Sequence, residues 1–181
     1  GAELMLAEGI FDRYNPEVIF GLHVTNSRHG HLGVLPGPAM AAASSYRITV
    51  NGVQAHGSRP WDSIDPIMAT AQLIESLNTV VSRRINIINN PAVISVGMVQ
   101  AGTRNNIIPD KSQITGTIRT FDPDLRAEIY DEIRQIARGV AEGTGTKVDV
   151  EFDVGGFYPV TFNNVESVSY THLTLPTNTP V

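Results

Sequence analysis

The chain reads as an α+β protein, with a four-stranded antiparallel sheet carrying two helices on one face in the split βαβ (ferredoxin-like) order. Part of an α/β domain precedes and follows it. Two observations predict the sheet unit, and a third the flanking part. Short runs with alternating apolar and polar residues recur at 46–53, 92–102, 113–121 and 147–152. Two amphipathic stripes each open on an Asp-Pro pair, Asp65-Pro66 and Asp122-Pro123. The run EVIFGLHV at 17–24 is almost continuously apolar, as in a strand covered on both faces.

Taken in order, residues 1–12 carry a helical pattern (Leu4, Met5, Ala7, Ile10, Phe11) that ends near Gly9. The strand predicted at 17–24 follows. A connector rich in Gly, Pro and small residues then runs to Ser45, with Pro36-Gly37-Pro38 as its strongest breaker. In YRITVNGV, Tyr46, Ile48 and Val50 oppose Arg47, Thr49 and Asn51, giving a half-buried strand. Past the polar loop AHGSRPWDSIDP, a helix starts at Asp65-Pro66 and presents Ile67, Thr70, Ile74, Leu77 and Val81 to a core. Strands at 92–102 and 113–121 are joined by RNNIIPDK in a hairpin-like connection. The second helix buries Leu125, Ile129, Ile133, Ile136 and Val140 and is stopped by Gly143 and Gly145. Lys147–Phe152 closes the unit. The Thr/Pro-rich stretch at 167–181, with His172, reads as a non-native or disordered tail outside the fold.

Composition excludes several function classes. The 181 residues carry 13 basic and 18 acidic side chains, a net charge of −5, so nothing draws the chain to phosphate backbones or anionic lipid. We therefore expect no nucleic-acid partner. No apolar run approaches the ~18 residues of a membrane span, so no membrane partner is expected either. The absence of cysteine removes disulfides, thiolate nucleophiles and thiolate-bound zinc, and fits a cytoplasmic location.

Few residues have the character that chemistry needs. His23 leaves the apolar run 17–24, where a rigid strand could aim it at a metal; the competing reading is a hydrogen-bonded core histidine. His29 and His31 could join it only in a Gly-rich loop that offers no carboxylate. His56 sits in a Gly-punctuated loop just past a strand, where an imidazole can donate to a carbonyl oxygen or be merely exposed. Asn106 and Arg119 come from the hairpin, and an amide with a guanidinium fork suits a carboxylate. A turn asparagine and a surface arginine in a local salt bridge are the alternatives. No serine-nucleophile motif, phosphate loop or carboxylate pair is present.

In order and spacing, FGLHV, PGPAMAA, VNGVQAHGSRP, NNIIPD, GTIRTFD and FYPVTFNN resemble the metal-dependent amidohydrolases of the aminoacylase and carboxypeptidase superfamily. The nearest branch in pattern is the hippurate hydrolase and indole-acetyl-amino-acid hydrolase group, which cleaves N-acyl amino acids. The resemblance implies a catalytic domain with two divalent ions, zinc or manganese, interrupted by a lid domain that forms a homodimer. It places 1–43 in the catalytic domain, 44–155 in the lid and 156–166 in the return to the catalytic domain. It makes His23 a metal ligand, His56 the lid histidine that reaches the partner's active site, and Asn106 and Arg119 substrate-binding residues.

The remaining ligands and the general base match nothing in the chain. It is therefore expected to be a fragment that does not hold the metals stably, and whether it turns over substrate alone stays open. The substrate implied is a small N-acyl amino acid or peptide. The alternatives are a silent dimerisation module and a regulatory domain that binds a small ligand.

Overall fold

A computed structural model describes residues 2–24, 26, 28–31 and 33–164, with the backbone alone for residues 2 and 3. The expected tail at 167–181, His172 included, lies outside the described residues. Pro38–Phe162 forms one compact unit, and the described residues before Pro38 and after Phe162 belong to a second.

The elements are α1 (Ala2–Ala7), α2 (Ile10–Tyr14), β1 (Gly37–Met40), β2 (Ala42–Asn51), β3 (Ala55–His56), α3 (Pro66–Thr79), β4 (Ala92–Ala101), β5 (Ile107–Ile108), β6 (Lys111–Thr120), α4 (Pro123–Thr144), β7 (Lys147–Phe152) and β8 (Thr161–Asn163). The main sheet has the order β4-β6-β2-β7, with every neighbouring pair antiparallel. This is the predicted split βαβ sheet. β1 pairs with β8, and β3 with β5, in two small ribbons.

Both Asp-Pro starts work as the sequence suggests. The Asp65 carboxylate accepts the backbone N–H groups of Ile67 and Met68, and that of Asp122 those of Asp124 and Leu125. Each proline occupies the first turn, where its missing N–H costs nothing. All five residues of the α4 stripe are buried. The helix runs through Gly143 and ends at Gly145, whose φ of 72° lies in the left-handed region.

The α3 stripe is turned from the predicted one. Ala69, Thr70, Leu73, Leu77 and Val80 face the core, whereas Ile67 is exposed and Ile74 and Val81 are half-buried flanks. Two features set this phase. The Thr70 hydroxyl lies 2.6 Å from that of Ser112, which in turn donates to the Pro66 carbonyl, fixing the helix start against β6. At the other end α3 widens into a π-helical turn, Val80–Arg84, so Val80 and Ile85 rather than Val81 point inward.

Alternate residues of β2 (Tyr46, Ile48, Val50) and β6 (Ile114, Ile118) meet both helices in a single apolar core. Each fully buried isoleucine there contributes about 1.5–3 kcal/mol. The Tyr46 ring crosses β6 at its register partner Gly116, where a Cβ would fall inside contact distance of the ring and of the Ser95 carbonyl. Its hydroxyl donates to that carbonyl at 3.2 Å, and burial pushes its pKa up to about 12. The opposite face is polar, with Arg47 on Glu151 at 3.2 Å and Asn51 on Asp149 at 3.1 Å across β2 and β7.

Two expectations need correction. Residues 17–24 form no strand, and Ile19, Phe20, Leu22 and Val24 are exposed. A strand buried on both faces needs sheet neighbours to bond its backbone, and among the described residues none pairs with this run. The helix expected at 1–12 does end near Gly9, which takes φ 73°, but the chain then adds a second short helix, α2, that the pattern did not separate from it.

Candidate functional site

The site grows from the loop after β2. Ala55 and His56 pair in register with Ile108 and Ile107, so this loop is zipped to the β4–β6 connection. The Gly57 N–H continues the ladder by donating to the Asn106 carbonyl at 2.8 Å, an approach so close that a side chain at 57 would press on Asn106. His56 and Asn106 therefore share one end of the sheet.

His56-Gly57-Ser58-Arg59 closes as a turn, with the Arg59 N–H on the His56 carbonyl at 2.8 Å. Within it the Ser58 N–H donates to His56 Nδ1 at 3.2 Å, and the Ser58 hydroxyl lies 2.8 Å from the same nitrogen. The imidazole is exposed. The Asn106 side-chain amide makes no hydrogen bond among the described residues. An open cleft of about 550 Å³ lies at this end, lined in part by Gly57, Ile67, Arg104, Asn105 and Ile107. Sequence reasoning missed Arg104 and Ser58, although each stands within two residues of a residue it singled out.

Arg119 is elsewhere. It lies on the polar face near the last residue of β6, opposite Ala43 on β2 and Val93 on β4. Among the described residues its guanidinium donates only to the Ile118 carbonyl at 3.0 Å. No carboxylate pairs with it among the described residues, so the local salt bridge is not what holds it.

Arg119 stands eight residues along β6 from Lys111, about 26 Å at the rise of an extended strand. Asn106 lies beyond Lys111 again. The expected carboxylate grip by Asn106 and Arg119 is therefore not assembled within one chain: the two sit at opposite ends of a hairpin too long to bring them together.

His23 is exposed, and its Nδ1 lies 2.7 Å from the neighbouring Val24 carbonyl. His29 and His31 fall in a turn at which the His31 N–H donates to the Arg28 carbonyl, and both are exposed. Among the described residues no group of three or more His, Cys, Asp or Glu side chains could hold a metal ion. The residues present do not fit a dinuclear centre.

Comparison with known proteins bears on this arrangement. Residues 41–144, more than half of the chain, match the family described as the peptidase dimerisation domain of M20 enzymes. N-acetylcysteine deacetylase of Bacillus subtilis is 38% identical over 84% of this chain and 40% of its own length. Hippurate hydrolase of Campylobacter jejuni is 35% identical over 94% of this chain and 44% of its own. Among solved structures, a dinuclear metal-binding M20 peptidase of Bacillus subtilis superimposes with a TM-score of 0.68 at 29% identity, covering 95% of this chain and 43% of that one. The chain thus spans about two-fifths of the length of the curated relatives it matches.

Proposed function

The chain belongs to the M20 peptidase dimerisation-domain family, and from that premise we propose that it is the lid of a homodimeric amidohydrolase that cleaves N-acyl amino acids. Residues 44–155 form the lid in this reading, and 1–43 and 156–166 belong to the catalytic domain. The two divalent ions, zinc or manganese, are held mainly outside the described residues, with His23 as the one ligand among the described residues. The lid supplies binding and orientation. His56 donates from Nε2 to the scissile carbonyl as its oxygen gains charge, and Arg119 and Asn106 hold the substrate carboxylate.

The observation that carries this reading is the separation of the three residues along the sheet. If two copies pair β4 against β4 about a twofold axis, the strands run antiparallel. The Ala101 end of one β4 then lies beside the Ala92 end of the other. His56 and Asn106 of one copy come alongside the partner's Arg119, which is level with the partner's Val93. Residues that cannot meet within a chain meet across the axis.

Complementation between defective subunits tests it in a hydrolase of the relatives' length carrying this chain. His56→Ala should lower kcat about a hundredfold or more, as loss of an oxyanion donor does, and Arg119→Ala should mainly raise KM. Mixed and reassociated, the two variants should regain about a quarter of parental activity, since half the dimers are mixed and each has one intact site. Failure of the mixture to exceed either variant would overturn the shared site.

A further inference from the structure

We infer that Ser58 is a positioning residue that fixes the tautomer of His56. A neutral imidazole carries one proton, and a nitrogen that accepts an N–H cannot also hold it. Nδ1 accepts the Ser58 backbone N–H at 3.2 Å, and the Ser58 hydroxyl stands 2.8 Å from it, placed to donate as well. The proton is thereby kept on Nε2, which makes no hydrogen bond among the described residues and stays free to donate outward.

The surrounding geometry holds this arrangement in place. Gly57 is bonded to Asn106 on one side, and the Arg59 N–H closes the turn on the other, with Arg59 anchored to Asp62 at 2.7 Å. Ser58 lies between these two fixed points, which keep its hydroxyl beside Nδ1; at 2.8 Å that hydroxyl is the closer donor, and the longer N–H contact at 3.2 Å does not hold the tautomer without it. An imidazole with the opposite tautomer would offer a lone pair, not a proton, to a developing oxyanion.

This inference rests on the donor role proposed for His56, and the experiment separates the two. In this chain, labelled with ¹⁵N-histidine and held at a pH where imidazole is neutral, His56 should show one protonated and one unprotonated ring nitrogen, with Nε2 the protonated one. Ser58→Ala removes the hydroxyl, so the two nitrogen shifts should move toward each other as the second tautomer gains population, and Ser58→Thr should restore them.

In the hydrolase of the relatives' length, Ser58→Ala should lower kcat about tenfold with little change in KM, again with rescue by threonine. A Ser58→Ala spectrum identical to that of the parent overturns the inference, whatever the activity. Converged shifts in a hydrolase whose His56→Ala variant retains full activity leave the Ser58 assignment standing and bring down the donor role of His56.

Discussion

β4 and β7 bound the same sheet on opposite sides with opposite chemistry. β4 offers ten residues without a charge among them, AVISVGMVQA, and leaves Val93, Met98 and Val99 exposed. β7 has six residues, of which Lys147, Asp149 and Glu151 face outward in alternation. The β7 side also carries ring contacts: Phe152 stacks on Tyr130 at 3.9 Å, Arg134 lies over Phe152, and Arg126 lies 3.9 Å from the Phe157 ring. Short, charged edges resist pairing with another chain, and long uncharged ones invite it. The one irregularity in β4 is the register shift between Val96 and Met98, about Gly97. In the proposed dimer, β4 is therefore the edge suited to association and β7 the edge that resists it.

The largest effect should come from spoiling the sheet that both edges depend on. Gly116→Ala sets a methyl group against the Tyr46 ring and the Ser95 carbonyl, and should destabilise the chain by about 3 kcal/mol or more in denaturant titration. Association would then fall only because the fold does.

Next comes the pH response of that crossing. Below pH 10 the Tyr46 hydroxyl is neutral in both the folded and the unfolded chain. Between pH 10 and about 12 only the unfolded chain ionises, so stability falls as pH rises across that window. Tyr46→Phe should remove this part of the alkaline decline, read as the difference between two pH-stability curves.

Charging the inviting edge is the sharper probe. Val99→Lys should leave the melting temperature nearly unchanged while weakening the dimer by about 2 kcal/mol in sedimentation equilibrium, through repulsion and lost apolar contact. The smallest effect belongs to the refusing edge. Glu151→Gln removes the exposed ion pair with Arg47 and should cost about 0.5 kcal/mol or less, with association unaltered. A dimer that responds to Glu151 and ignores Val99 would reverse the comparison.

How much of this was legible in the sequence follows the range of the forces involved. The α4 stripe, both Asp-Pro starts and Lys147–Phe152 are set by neighbours a few residues away, and all are found where the pattern puts them. β2 begins at Ala42, within what reads as a small-residue connector, because its register with β6 extends to Thr120 and pairing draws Ala42 and Ser44 into the sheet. Residues 17–24 carry a strand composition without the pairing that makes a strand, which only distant chain can supply. The β3–β5 ribbon is two residues wide and has no period to detect. At the site, His56, Asn106 and Arg119 were visible as residue types, but their distribution between the two ends of the sheet depends on register. The contact of Ser58 with His56 depends on a turn that composition alone does not define.

The small ribbon that zips the histidine loop to the neighbouring hairpin has a mechanical consequence. The backbones that carry the imidazole and the carboxamide cannot travel independently, because the β3–β5 ladder and the Gly57–Asn106 hydrogen bond join them. In the proposed site, a substrate would then meet two side chains whose anchor points keep a fixed separation. Discrimination can then come from spacing alone, with no need for either side chain to bind tightly.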